Sequence, residues 1–212
     1  MTNKAGVQRQ IDYKVMRTLI GVIAIGLGPV VMLLSGNASR LTSISVTYWT
    51  DAQDVFVGSL LVVGFFLAAY NGTGGGRDLT YWVSKFACVF AIGVGLFPTA
   101  GFPESGPPSW WALAIARSIW TEPEAVHVAC AVLMFACLIA LLAGFAANAR
   151  AKGADARANT YTAINFLMIG GMMVIGAVGA LLEWERTVLF VEIWGLTFFG
   201  LGWLRAGTYR SS

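Results

Sequence analysis

Charge is scarce in this chain. Only 12% of its 212 residues are Asp, Glu, Lys or Arg, whereas 57% are hydrophobic and the mean hydropathy is +0.70. A soluble domain carries about 25% charged residues to cover its surface, so that class is excluded. Cysteine is sparse too: Cys88, Cys130 and Cys137 form no CxxC pair, which leaves no redox motif and no thiolate metal site, and they read as buried structural residues. There is a single histidine, His127, and neither a GxSxG nor an HExxH pattern. The glycine-rich link 72–78 lacks the Lys-Ser/Thr ending and the preceding strand of a phosphate-cradling loop, and reads as a turn. No basic patch is interleaved with aromatics, so nucleic acid is not an expected partner.

What the chain does have is apolar length. Six blocks, at 18–35, 55–71, 79–101, 125–147, 161–182 and 187–205, each approach the roughly 17–25 residues that cross a bilayer as a helix. The expected fold is an all-α membrane protein, a bundle of six transmembrane helices. It comprises a basic lead-in at 1–17, one transmembrane domain at 18–205 and a tail at 206–212. Small residues at Asn37-Ala38-Ser39 follow the first block, but its apolar stretch of about 18 residues exceeds the 7–15 of a signal peptide core, so it reads as a span.

Loop charges set the expected orientation. With the amino end inside, eleven basic residues (Lys4, Arg9, Lys14, Arg17, Arg77, Lys85, Arg150, Lys152, Arg157, Arg205, Arg210) are cytoplasmic and three (Arg40, Arg117, Arg186) are outside. That bias predicts two cytoplasmic termini and a multi-pass protein of the cell membrane, the bacterial inner membrane. Lys85, a few residues into the third span, is expected to snorkel to the cytoplasmic interface. The acids segregate oppositely: Asp51, Asp54, Glu104, Glu122, Glu124, Glu183 and Glu185 lie outside, making that face attractive to cations.

Two outer loops stand out. In 36–53, Leu41-Thr42-Ser43-Ile44-Ser45-Val46-Thr47-Tyr48 alternates apolar with polar, which reads as a short extended segment over the outer mouth or a surface loop. In 102–123, the stretch from Ser109 to Trp120 resembles a short amphipathic helix at the interface. Glycines within the spans, Gly21, Gly26, Gly28, Gly93, Gly95, Gly170, Gly171, Gly176, Gly179, Gly195, Gly200 and Gly202, suit close helix packing and a homo-oligomer built on such faces.

The most informative single residue is Glu192, a carboxylate inside the apolar run from Thr187 to Phe199. A charge there costs roughly 2.5–3.5 kcal/mol and defaults to a functional hypothesis. Asp54 opens the second span and His127 enters the fourth at the same outer depth as Glu192. Glu124 shares a helical face with His127, and Glu185 lies seven residues before Glu192. Asp51, Ser45 and Tyr48 complete the candidate ion- or substrate-binding set. Several chemistries fit: a proton relay or cation site, a metal held by His127, Asp54 and Glu192, or acid–base hydrolysis with Ser43, Ser45 or water as nucleophile. A hydrogen-bonded cluster that only fixes helix packing fits as well. No cofactor is specified.

The segments Tyr48 to Gly58 (with Asp54-Val55-Phe56-Val57-Gly58), Leu96-Phe97-Pro98-Thr99, the helix bearing His127 and the run Glu192 to Leu204 resemble a group of uncharacterised bacterial small multi-helix membrane proteins. The resemblance spans most of the chain and implies no established activity. The layout is also similar to the DRAM-type family, in architecture alone. The membrane hydrolases that include alkaline ceramidases use several histidines for zinc, and a single histidine departs from that pattern. The leading expectation is an integral membrane protein with an outward-facing acidic pocket that binds or passes a cation, a proton or a lipid headgroup. The alternatives are a hydrolase-type enzyme acting on a lipid-linked substrate at the outer leaflet and a structural or assembly protein.

Overall fold

The computed structural model describes residues 13–73 and 76–207, so most of the lead-in, with Lys4, Arg9 and Asp12, lies outside the described residues, as does the tail beyond Gly207 with Arg210. Among the described residues there are seven α-helices and no strand: α1 (Tyr13–Leu34), α2 (Gln53–Ala69), α3 (Leu79–Leu96), α4 (Trp110–Ser118), α5 (Pro123–Ala151), α6 (Asp155–Leu181) and α7 (Thr187–Gly207). Five of them, α1, α3, α5, α6 and α7, are long and apolar enough to cross a membrane, the layout of a multi-pass membrane protein. The remaining apolar block, 55–71, folds as α2, whose 17 residues span about 26 Å at 1.5 Å per residue. That falls a few ångström short of a 30 Å hydrocarbon core.

Helix limits follow local chemistry. The third block was expected to run to 101, yet α3 stops at Leu96, and Phe97 is extended (φ −93°, ψ 124°). The residue before a proline is pushed out of the helical region, and Pro98 follows. At its other end Asp78 caps α3, its carboxylate accepting from the Tyr81 amide at 2.8 Å. Pro123 begins α5, where its missing N–H costs nothing. Glu183 takes φ +50° in the tight turn that joins α6 to α7.

Neighbours around the bundle run α2, α3, α5, α6, α7, α1, and the ring closes most thinly between α1 and α2. The α1–α7 contact is close enough for backbone to meet backbone: a Cβ on Gly200 would sit 2.7 Å from the Gly21 carbonyl oxygen, and one on Gly21 would sit 2.9 Å from that of Gly200. Gly171 faces the Trp194 indole, whose Nε1 donates to Leu167 O at 2.9 Å and ties α7 to α6. Gly26, Gly170 and Gly176, by contrast, face open space. Lys85 finds its partners within the fold. Its ammonium donates to the Ala68 carbonyl and, at 2.6 Å, to that of Tyr70, capping the end of α2 with a cation.

Candidate functional site

The segment after α1 departs most from expectation. Residues 41–48 form neither a strand nor a surface loop: Ser45–Trp49 is a 3₁₀ turn, and Leu41, Ser43, Ile44, Ser45, Val46 and Thr47 are buried. Alternating β-branched residues met no second strand here, and every backbone group put out of water needed a partner. The turn supplies several itself. Ser43 Oγ accepts from the Val46 amide at 3.0 Å, and the Thr47 hydroxyl donates to Ile44 O at 2.6 Å.

The remaining partners come from α7 and the turn before it. Glu192, six residues into the helix, accepts the Ile44 amide on Oε2 at 2.5 Å and the Ser45 hydroxyl on Oε1 at 3.1 Å. Ile44 is the N-cap of the 3₁₀ turn, so the carboxylate meets the turn at the end where free amides point outward. The Leu189 amide donates to Thr42 O at 2.9 Å. Arg186 clasps the same strand of chain, Nε to Leu41 O at 3.2 Å and Nη2 to Ala38 O at 3.1 Å. Together Arg186, Leu189 and Glu192 latch the 38–50 segment onto α7. Glu192 itself is only partly buried.

The other face of the segment is tied to the chain after α3. Trp49 Nε1 donates to Thr99 O at 2.9 Å. Arg40 pairs with Glu104 at 2.5 Å, with its guanidinium 4.6 Å from the Phe102 ring centroid. The Arg40 cation holds the exposed Glu104 carboxyl below its usual range, first through the hydrogen bond between them.

The remaining candidates do not join Glu192. His127 is buried on α5, and its Nδ1 lies 2.7 Å from Phe97 O, the carbonyl left over where α3 ends before Pro98. Asp54 is exposed in the first turn of α2, and Asp51 is exposed just before it. Glu124 and Glu185 are exposed, and Glu124 lines an open depression of about 460 Å³ with Glu122, Ala125, Val128 and Ala129. Tyr48 is half-buried, its ring 5.3 Å from that of Trp49. Only Ser45 of the candidate set bonds Glu192. The metal set of His127, Asp54 and Glu192 is a correction: among the described residues no three His, Cys, Asp or Glu side chains gather at a spacing that could hold a metal ion. The reason is that His127 and Glu192 have each turned to a backbone group nearer at hand. Neither Ser43 nor Ser45 hydrogen-bonds His127, so no nucleophile–base pair forms.

Sequence reasoning missed Arg186 as a site residue, counting it only for orientation. Its one available signal was its position, a lone cation behind Glu183 and Glu185 and six residues before Glu192. Comparison with known proteins returns nothing: no family model, no curated protein and no solved structure matches the chain.

Proposed function

We propose that this chain is a six-span protein of the bacterial inner membrane, with both termini cytoplasmic, that binds a proton or cation at an outward site built on Glu192. One observation carries the reading. The only acid within the long apolar helices beyond their first turns is Glu192, and its carboxylate closes a buried outer segment through two hydrogen bonds. A proton or cation taking that carboxylate withdraws it from the Ile44 amide and the Ser45 hydroxyl, so occupancy and loop docking are coupled. Seven exposed acids surround the same end of the bundle, Asp51, Asp54, Glu104, Glu122, Glu124, Glu183 and Glu185, and raise the local cation concentration. Orientation rests on the eleven-to-three bias of basic residues.

The test is hydrogen exchange across 41–50 in purified protein, followed against pH and against Na⁺, K⁺, Mg²⁺ and Ca²⁺ one at a time. Wild type is expected to lose protection in this segment, relative to the intrinsic exchange rate, when protons or one of the cations compete for Glu192. Glu192→Gln, which keeps shape and one acceptor oxygen, should show a protection factor indifferent to either, once each rate is divided by the intrinsic exchange rate at that pH. Equal responses in the two proteins would show that Glu192 is only a packing residue.

A further inference from the structure

At the end of the bundle opposite Glu192, aromatic rings pack around Trp203. Tyr70, Phe145 and Phe199 lie 5.5, 4.9 and 5.2 Å from it, centroid to centroid. Trp203 is 0% and Tyr70 1% exposed. Most of this cluster is apolar packing, but it encloses polar atoms that the described residues leave short of partners. Among the described residues the Trp203 indole Nε1 and the Arg17 Nε are buried without a hydrogen-bond partner, and the buried Tyr70 hydroxyl has only the Arg17 side chain within hydrogen-bonding reach.

Arg17 reaches this corner from α1. Its Nη1 donates to Ala206 O at 3.1 Å, near the end of α7, and its Cζ stands 5.5 Å from the Tyr70 ring centroid. Among the described residues no carboxylate pairs with it. Asp78 lies within electrostatic reach of Tyr70, and its oxygens accept from Thr73, Thr80 and Tyr81 at the start of α3. An indole N–H, a phenolic O–H and a guanidinium N–H all donate, and two of the three come from side chains sealed from solvent. Buried donors are normally matched, and two beside one cation call for an acceptor with several oxygens and negative charge. Arg17 is only partly buried, so it is the one of the three that reaches the surface, with Tyr70 and Trp203 buried behind it. Its flanks on α1 are exposed and apolar, Val15 and Leu19 among them.

We propose that Arg17, Tyr70 and Trp203 form a binding site for a phosphate oxyanion, carried by a phospholipid headgroup or by a free phosphate. The apolar flanks favour a headgroup whose acyl chains lie along α1. Only its assignment to the cytoplasmic leaflet rests on the orientation proposed above. The donor chemistry is independent of that orientation and of Glu192.

The full-length protein in a maltoside detergent, which has no phosphate, provides the assay. Its unfolding temperature is measured during titration with short-chain phosphatidylglycerol, with diacylglycerol of the same chains, and with inorganic phosphate. Phosphatidylglycerol should raise the midpoint and diacylglycerol should not. Arg17→Gln should weaken half-saturation by about tenfold or more, and Arg17→Lys should restore part of it. Tyr70→Phe removes a hydroxyl whose only side-chain partner among the described residues is Arg17, a cation that keeps its bond to Ala206 O. Without lipid it should unfold no lower than wild type, while its lipid response falls. A response to inorganic phosphate that Arg17→Gln abolishes assigns the same site to a soluble anion. The proposal is overturned if neither phosphate compound moves the midpoint, or if Arg17→Gln and Tyr70→Phe respond as wild type does. Should Arg17→Gln fail to fold, Tyr70→Phe carries the comparison alone.

Discussion

A carboxylate at membrane depth has to find donors, and for Glu192 they come from a backbone amide and a hydroxyl on a segment 147–148 positions away in sequence. A second acid, Glu104, belongs to the same loop system but sits in water, and its behaviour with pH follows from its partner. Arg40 lowers the folded-state pKa of Glu104, so this pair contributes to the docked loop above the ordinary carboxyl range and is lost as pH falls through the lowered value. An exposed pair of this kind is worth little globally, so the effect should be local. Protection from hydrogen exchange around 102–105, relative to the intrinsic rate, is expected to fall below pH about 4 in wild type. In Arg40→Gln it should already be lowered at neutral pH and change less on acidification. A flat profile in wild type would mean that the pair does not hold the loop.

At the scale of elements, the decisive contact is between α1 and α7, where Gly21 and Gly200 allow two backbones to touch. Lipid gives helices no hydrophobic reason to associate, so this close approach is where packing is won. Gly200→Ala is expected to destabilise by about 1–3 kcal/mol, because the added Cβ meets the Gly21 carbonyl and Ile25 rather than a side chain with room to swing away. Gly26→Ala, on the same helix pair but facing open space, should be neutral or stabilising, by up to about 1 kcal/mol. Denaturant unfolding of both variants in one detergent compares them directly, and equal losses would remove the special role of the crossing. The glycine pattern had announced close packing, but it could not say which glycines meet a partner and which face outward. That depends on helix rotation, which a nearly uniform apolar surface does not set.

For the whole molecule, the helices alternate so that the starts of α2, α5 and α7 lie at the end that holds the latch. The proposed orientation puts that end outside. With Cys88, Cys130 and Cys137 replaced by Ala, Ser39→Cys should react with an impermeant maleimide in intact spheroplasts. Lys152→Cys should react only after permeabilisation. The reverse pattern would invert the topology and with it the outward placement of Glu192. The helices themselves were legible in the sequence, because apolar blocks of spanning length and their Pro, Asp and Gly punctuation are local signals. α4 was legible too, from the apolar and tryptophan-rich stretch after Ser109. The site was legible only in part. Glu192 announced itself by its surroundings, and Ser45 came in as a candidate, but Arg186 and the Ile44 amide did not, since a backbone donor has no letter in the sequence.

The sequence by itself determined that this is a helical membrane chain, where its helices lie to within several residues, and that one acid lies beyond the first turn of the last of them. Those properties depend on each block's transfer free energy and on neighbours within a turn or two. Only the tertiary structure decided that Glu192 meets Ile44 and Ser45 rather than His127 and Asp54, that 41–48 is buried as a turn, and that Arg17 comes to rest beside Tyr70 and Trp203. Each of those pairings joins residues far apart in the chain, and in a bundle whose helices are apolar all round, it is packing that chooses which faces meet.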